Sequence, residues 1–101
     1  MAARRPTENR WHEAKRAQNI ADHGIDFEDV GSVFSDDFML LDEDRDHAEE
    51  RDTALGIDDL GRLVKVAFTW RGPARRPYRW IISARKAEKR EVRDYTRRRK
   101  W

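Results

Sequence analysis

The chain has 101 residues, no cysteine, 38% hydrophobic and 42% charged residues, and a formal net charge of +2. That size supports one domain with a lean core; the missing thiols exclude disulfides and thiolate metal sites, and no apolar run approaches the ~20 residues of a membrane-spanning helix. The charge is unevenly laid out: residues 1–21 carry +3, residues 22–60 carry −13 and residues 61–101 carry +12.

Residues 1–10 are polar and contain Pro6, and they read as a flexible tail. Nothing apolar follows Met1-Ala2-Ala3-Arg4-Arg5-Pro6, so no signal peptide is expected and the default location is the cytoplasm. Residues 11–101 are expected to form the domain. Trp11 opens it, in a short first strand or at the head of a helix. Glu13–His23 has helical spacing, with Ala14, Ala17, Ile20 and Ala21 predicted as its apolar face. Gly24 suits the left-handed position that ends a helix, and His23 suits the C-terminal dipole when charged. Asp26 reads as the N-cap of a second, shorter helix lined by Phe27, Val30, Val33 and Phe34. Asp36-Asp37 stop it. Residues 38–41 predict a strand, residues 42–50 an acidic loop holding His47, and Arg51–Ile57 a further strand.

Residues 57–62 read as a hairpin connection. Residues 63–70 alternate most clearly, with Val64, Val66, Phe68 and Trp70 on one face and Lys65, Ala67 and Thr69 on the other. A turn follows at Arg71-Gly72-Pro73-Ala74. In the last strand Tyr78, Trp80, Ile82 and Ala84 are expected on one face, and Arg79, Ile81, Ser83 and Arg85 on the other. Residues 88–99 are helical by propensity, with Ala87, Val92 and Tyr95 as a thin apolar stripe and Arg97-Arg98-Arg99-Lys100 at the cation-favouring end.

This order predicts an α+β fold: two N-terminal helices on an antiparallel four-stranded sheet, an optional short N-terminal strand, and a C-terminal helix. Parity places Lys65, Thr69, Arg79, Ser83 and Arg85 together on a sheet face that the helices leave open. The +12 of the last third makes that face the electrostatic footprint of a nucleic-acid binder. The plainer alternative is that the basic third only neutralises the acidic middle. No metal or other cofactor is expected: His12, His23 and His47 have no ligand spacing, and the acidic run lacks the turn glycine of a calcium loop.

Trp11-His12-Glu13-Ala14-Lys15, Asn19 and His23-Gly24-Ile25-Asp26-Phe27-Glu28 resemble the N-terminal signature of the BrnT toxins. Asp46-His47 and Glu50-Arg51 resemble its central loop and the start of its next strand. Gly61-Arg62-Leu63-Val64 and Arg79-Trp80-Ile81-Ile82-Ser83-Ala84-Arg85-Lys86-Ala87 resemble its C-terminal signature. The pieces occur in the family's order across residues 11–95. The resemblance implies a RelE-like ribonuclease fold and a type II toxin that inhibits translation by cleaving RNA. It also implies a BrnA-like ribbon-helix-helix antitoxin as partner, with operator DNA reached only through that antitoxin. Glu88 stands where the family often has a capping Thr or Ser, which predicts a weaker start to the last helix.

Cleaving RNA without a metal needs a base for the 2′-OH, a cation for the transition state and an acid for the leaving 5′-oxygen. Arg79 and Arg85 are the predicted phosphate-holding pair, because a guanidinium fork grips two oxygens and stays charged. Glu50, His47 and Tyr95 are the candidates for base and acid, undivided between the two roles. Lys15, Arg51, Arg62, Lys65, Ser83 and Lys86 are expected along the RNA backbone. Trp11, Trp70 and Trp80 are suited to stack bases, although core packing is the stronger expectation. The competing function is a non-catalytic basic module that acts with an antitoxin as a DNA-binding repressor complex.

Overall fold

The computed structural model describes residues 7–44 and 51–100. Its strands are β1 (Asn9–Arg10), β2 (Leu40–Asp44), β3 (Arg51–Ile57), β4 (Leu63–Arg71) and β5 (Tyr78–Lys86); its α-helices are α1 (Glu13–His23) and α2 (Lys89–Arg99). One five-stranded sheet runs in the order β1-β5-β4-β3-β2. Strands β2 to β5 form the antiparallel meander, and β1 joins β5 in parallel. The optional fifth strand therefore exists, just before Trp11 and parallel to its neighbour.

The expected alanine face does not dock α1. Ala14, Ala17 and Ala21 are exposed, and Ile20 is 41% exposed. The buried residue of α1 is Asn19. Its amide nitrogen donates to the Ile25 carbonyl at 2.8 Å and the Ala84 carbonyl at 2.9 Å, and its Oδ1 accepts from the Ala84 N–H at 3.0 Å. Strand β1 pairs with β5 only at Arg79 and Trp80. Further along that edge, the Asn19 side chain takes the place of a neighbouring strand and satisfies a donor and an acceptor that would be orphaned. Polar contacts thus dock α1 in place of an apolar stripe: Asn19 on the sheet edge, and Arg16, which donates to Asp26 at 2.7 and 2.8 Å.

Gly24 ends α1 at φ 69°, as its sequence position predicts. The second helix is replaced by two 3₁₀ turns, Phe27–Asp29 and Gly31–Ser35, the first capped by Asp26 through the Glu28 N–H. These turns deliver Phe27, Val30 and Val33 onto the sheet, where with Ile25 they meet Ala54, Val64, Val66, Phe68, Ile81 and Ala84. Contact is close: a Cβ on Gly56 would lie 3.1 Å from the Val33 carbonyl oxygen. Trp11 packs edge-on against Phe27, with ring centroids 6.1 Å apart.

Strand β5 departs from simple parity. Ala67 pairs with Ser83 but Phe68 pairs with Ile81, so Ile82 is an extra residue, a β-bulge. Ile81 and Ala84 are both buried against the helices. Arg79 is opposite Trp70 on that same helix side, whereas Tyr78, Trp80, Ser83 and Arg85 belong to the outer face. The expected shared face for Arg79, Ser83 and Arg85 is thus corrected. Six strand positions also separate the two arginines by about 20 Å.

The outer face is not wholly open either. Helix α2 lies on it, because Glu91 of its first turn bonds Lys65 and Arg85, which point away from the core. Tyr95 of α2 is 4% exposed and donates to Asp36 at 2.6 Å. No described helix is long and apolar enough to cross a membrane.

The Asn19 contact makes a prediction. Asn19→Leu leaves the Ala84 N–H and C=O buried and unpaired, for an expected loss of about 2–4 kcal/mol. Urea unfolding reads this as a lower midpoint at unchanged slope. A loss below ~0.5 kcal/mol would show that the edge does not depend on Asn19.

Candidate nucleic-acid interface

Lys65 and Arg85 face each other across β4 and β5. Arg85 donates through Nη1 to Glu91 Oε1 at 2.7 Å and through Nη2 to Oε2 at 3.0 Å, and Lys65 Nζ lies 3.2 Å from Oε2. Glu91 also accepts the Glu88 N–H at 2.8 Å, which starts α2 without a Thr or Ser cap. One carboxylate is therefore held by a fork and an ammonium, as the same two cations would hold a phosphate. Burial pushes the Glu91 carboxyl up, but Arg85, the Glu88 N–H and Lys65 outweigh it and hold it at about 2. Ser83 lies on the same face, half-buried, opposite Ala67. Arg51 also belongs to this face by alternation with Asp52; its Nε is buried and has no hydrogen-bond partner among the described residues.

Toward the β4–β5 turn the outer face changes character. Tyr78 and Trp80 stand on it from β5, with Thr69 and Arg71 from β4 and Arg10 from β1. The Arg71 guanidinium lies 4.6 Å from the Trp80 ring centroid, and that of Arg10 lies 4.3 Å from Tyr78. Arg75 and Arg76 are exposed in the adjoining turn.

Arg79 occupies the opposite side of the sheet. Its guanidinium sits 3.9 Å from the Phe34 ring centroid and 5.5 Å from Trp70, and its Nε donates to Asn9 Oδ1 at 2.7 Å. Burial pushes its pKa down. Trp70 is 48% exposed and shares an open cleft of about 580 Å³ with Leu41, Asp42, Glu43, Asp52 and Phe68.

The other predicted residues scatter. Lys15 is exposed on α1, and Lys86 is exposed at the end of β5. Arg62 is bound through Nε at 2.9 Å and Nη2 at 2.8 Å to Asp58, whose side chain is fully buried, and through Nη1 at 3.3 Å to the Gly24 carbonyl. Tyr95 is held above its ordinary value, at about 12, by burial and by the Asp36 carboxylate. Glu50 and His47 lie outside the described residues. The fold thus gathers Lys65, Ser83, Arg85 and Arg51 on one face and sends Arg79 to the other. Sequence reasoning passed over Glu91, Arg10, Arg71 and Tyr78. The visible signal for Arg71 and Tyr78 was arginine interleaved with aromatics around the 71–80 hairpin; Arg10 offered none beyond its place before Trp11, and Glu91 none beyond its place in a first helical turn.

The Glu91 geometry fixes a pH dependence. Its folded value lies below the ordinary 4.5, so the carboxylate stabilises the fold above about pH 4.5 and that contribution is lost as pH falls toward 2. The shift alone corresponds to ~3 kcal/mol, which partial solvent access reduces to about 1–2 kcal/mol. Glu91→Gln is expected to lose that amount at pH 7, to approach the parent chain as pH falls below about 4.5 and to converge on it only below about pH 2, by urea melts across the range. A loss that stays constant with pH would assign the effect to packing.

No curated protein is a match for the chain. The family model described as ribonuclease toxin, BrnT, of type II toxin-antitoxin system matches residues 11–91. That span begins at Trp11, takes in Asn19, the whole meander and Lys65, and ends on Glu91. The chain therefore belongs to the BrnT family of ribonuclease toxins of type II toxin–antitoxin systems.

Proposed function

We propose that the chain cleaves RNA by metal-independent acid–base chemistry on its outer sheet face and thereby inhibits translation in the cytoplasm. The observation that carries this reading is the convergence of the Arg85 fork and the Lys65 ammonium on one anion at 2.7–3.2 Å. A phosphodiester presents oxygens to the same donors, and Arg85 stabilises charge that develops on them. Glu91 must then yield to the phosphate when RNA binds. Tyr95 keeps its proton to about 12, which rules it out as the base and leaves it as the candidate acid. Glu50 and His47 are the candidates for the base. On this reading Arg79 ties β1 to the sheet through Asn9 and does not touch the phosphate.

The type II family supports an antitoxin partner. We assign that role to a BrnA-like ribbon-helix-helix protein, which reaches operator DNA and offers carboxylates to Lys65 and Arg85 as Glu91 does. One observation favours a second reading, in which a non-catalytic module acts with the antitoxin as a repressor complex. Glu91 at about 2 and Tyr95 at about 12 are both far from neutral pH, so neither is tuned for proton transfer.

Cleavage of end-labelled RNA in EDTA separates the two readings. The ribonuclease reading expects products ending in a 2′,3′-cyclic phosphate and an Arg85→Ala rate lower by about 100-fold. It expects Arg79→Ala, assayed where it stays folded, to keep most of the activity. Induced expression should arrest growth, and Arg85→Ala should relieve the arrest. Loss of cleavage in EDTA would overturn the metal-independent chemistry. No cleavage, with intact operator binding alongside the antitoxin, would establish the second reading.

A further inference from the structure

The half of the outer face next to the β4–β5 turn has no part in the chemistry above, yet it is built with care. We propose that Tyr78 and Trp80, flanked by Arg10 and Arg71, form a stacking platform for two consecutive bases of single-stranded RNA. The proposal rests on the reading that Lys65 and Arg85 mark the cleavage point.

Placement comes first. Tyr78 and Trp80 are two positions apart on β5, which sets their side chains about 7 Å apart on one face. Neighbouring bases of a splayed single strand can each reach one ring across that spacing. Neither ring belongs to the hydrophobic core cluster, where β5 contributes Ile81 and Ala84. Both rings are half-buried, so each is held in place while keeping accessible surface.

The arginines are arranged in a crossed lattice. Arg71 pairs in register with Tyr78 yet lies over Trp80 at 4.6 Å; Arg10 aligns with Trp80 yet lies over Tyr78 at 4.3 Å. Each ring therefore has one guanidinium against its face and another close by. A guanidinium lying over a ring still turns donor edges toward solvent, where a phosphate can be bound. Arg10 also pairs with Glu8 at 3.0 Å, and that exposed pair is weak. Arg75 and Arg76 add exposed charge at the rim.

Cations with aromatic faces match a single strand, whose bases are free to stack and whose backbone is anionic. Duplex RNA would be read by shape and would leave the ring faces unused. An acidic peptide would use the cations and not the rings. From Trp80 to Arg85 the strand covers about 15 Å. RNA anchored on the platform thus reaches the Lys65–Arg85 point after roughly two or three nucleotides.

The test uses a fluorescein-labelled eight-nucleotide RNA, 2′-O-methylated throughout so that the 2′-OH attack is blocked, and a twin lacking two central bases. Anisotropy is read at about 0.1 M salt, since phosphate contacts weaken steeply above it. The intact oligonucleotide should bind about tenfold tighter than the abasic twin. Trp80→Ala should cut that difference to about threefold, the share left to Tyr78, Trp80→Phe should retain most of it, and Trp70→Ala on the helix side should leave it unchanged. The abasic comparison on the unaltered chain decides the matter if the alanine variants fail to fold. Equal affinity for both oligonucleotides would overturn the platform. So would a glutamate-rich peptide that binds as tightly as the RNA and is sensitive to Arg71→Ala but not to Trp80→Ala; that outcome makes this a protein-docking face. The probe is not cut, so the two readings fail separately. Base-dependent binding without cleavage of ordinary RNA sinks the cleavage reading alone. Cleavage with base-independent binding sinks the platform alone.

Discussion

One extra residue at Ile82 decides what each half of β5 does. Without it, Tyr78 and Trp80 would share a face with Ala84 and enter the core, and Arg79 would stand beside Arg85. With it, the register before the bulge is reversed relative to the register after it. The core takes Ile81 and Ala84. Arg79 goes to the helix side, where it is half-buried and lies over Phe34. Tyr78 and Trp80 come out onto the face that carries Ser83 and Arg85. The aromatic–arginine lattice and the Lys65–Arg85–Glu91 cluster are neighbours only because of that one insertion.

The rest of the fold supports this strand with few apolar contacts and several well-satisfied polar ones. Asn19 closes the β5 edge beyond β1. Asp36 ends the second 3₁₀ turn and accepts from the Phe38 N–H at 2.8 Å, the Ile57 N–H at 2.9 Å and the Tyr95 hydroxyl at 2.6 Å, so it joins the helix side, β3 and α2. Asp58 accepts from the Leu60 and Arg62 N–H groups and from the Arg62 guanidinium, which fixes the β3–β4 turn. A small chain with a lean core gains specificity this way: Asn19, Asp36 and Asp58 each have their partners in one geometry, and any other packing would orphan them.

What was legible in the sequence follows from what is local. The bounds of α1 and β3, the alternation of β4, the αL glycine at 24 and the cap at Asp26 all rest on short-range periodicity or backbone preference. The bulge was not legible, because Ile81-Ile82 is apolar at both positions and either phase buries an isoleucine. The docking of α1 was misread for a related reason. Its alanines mark a face, but a single asparagine bonding a strand edge some 65 positions away outweighs them. The outer face was read as open because α2 shows only a thin apolar stripe; the helix is held on that face by its first-turn Glu91, the partner of two strand cations, together with the buried Tyr95.

The plain alternative, in which the basic third neutralises the acidic middle, meets a specific difficulty. Lys65 and Arg85 are paired with Glu91, which belongs to the basic third itself. Arg10 and Arg71 lie over rings, and among the described residues the exposed Glu8 is the ion-pair partner of Arg10. The arrangement orders events on the outer face. A phosphate arriving at Lys65 and Arg85 must exchange with a carboxylate already held at 2.7–3.2 Å, which no surface ion could do readily. On the proposed reading, a strand stacked on Tyr78 and Trp80 would deliver its phosphate at high effective concentration, and the exchange with Glu91 would become intramolecular. On that proposal the carboxylate would discriminate: a free anion lacks the anchor to displace it, and a single-stranded RNA has one.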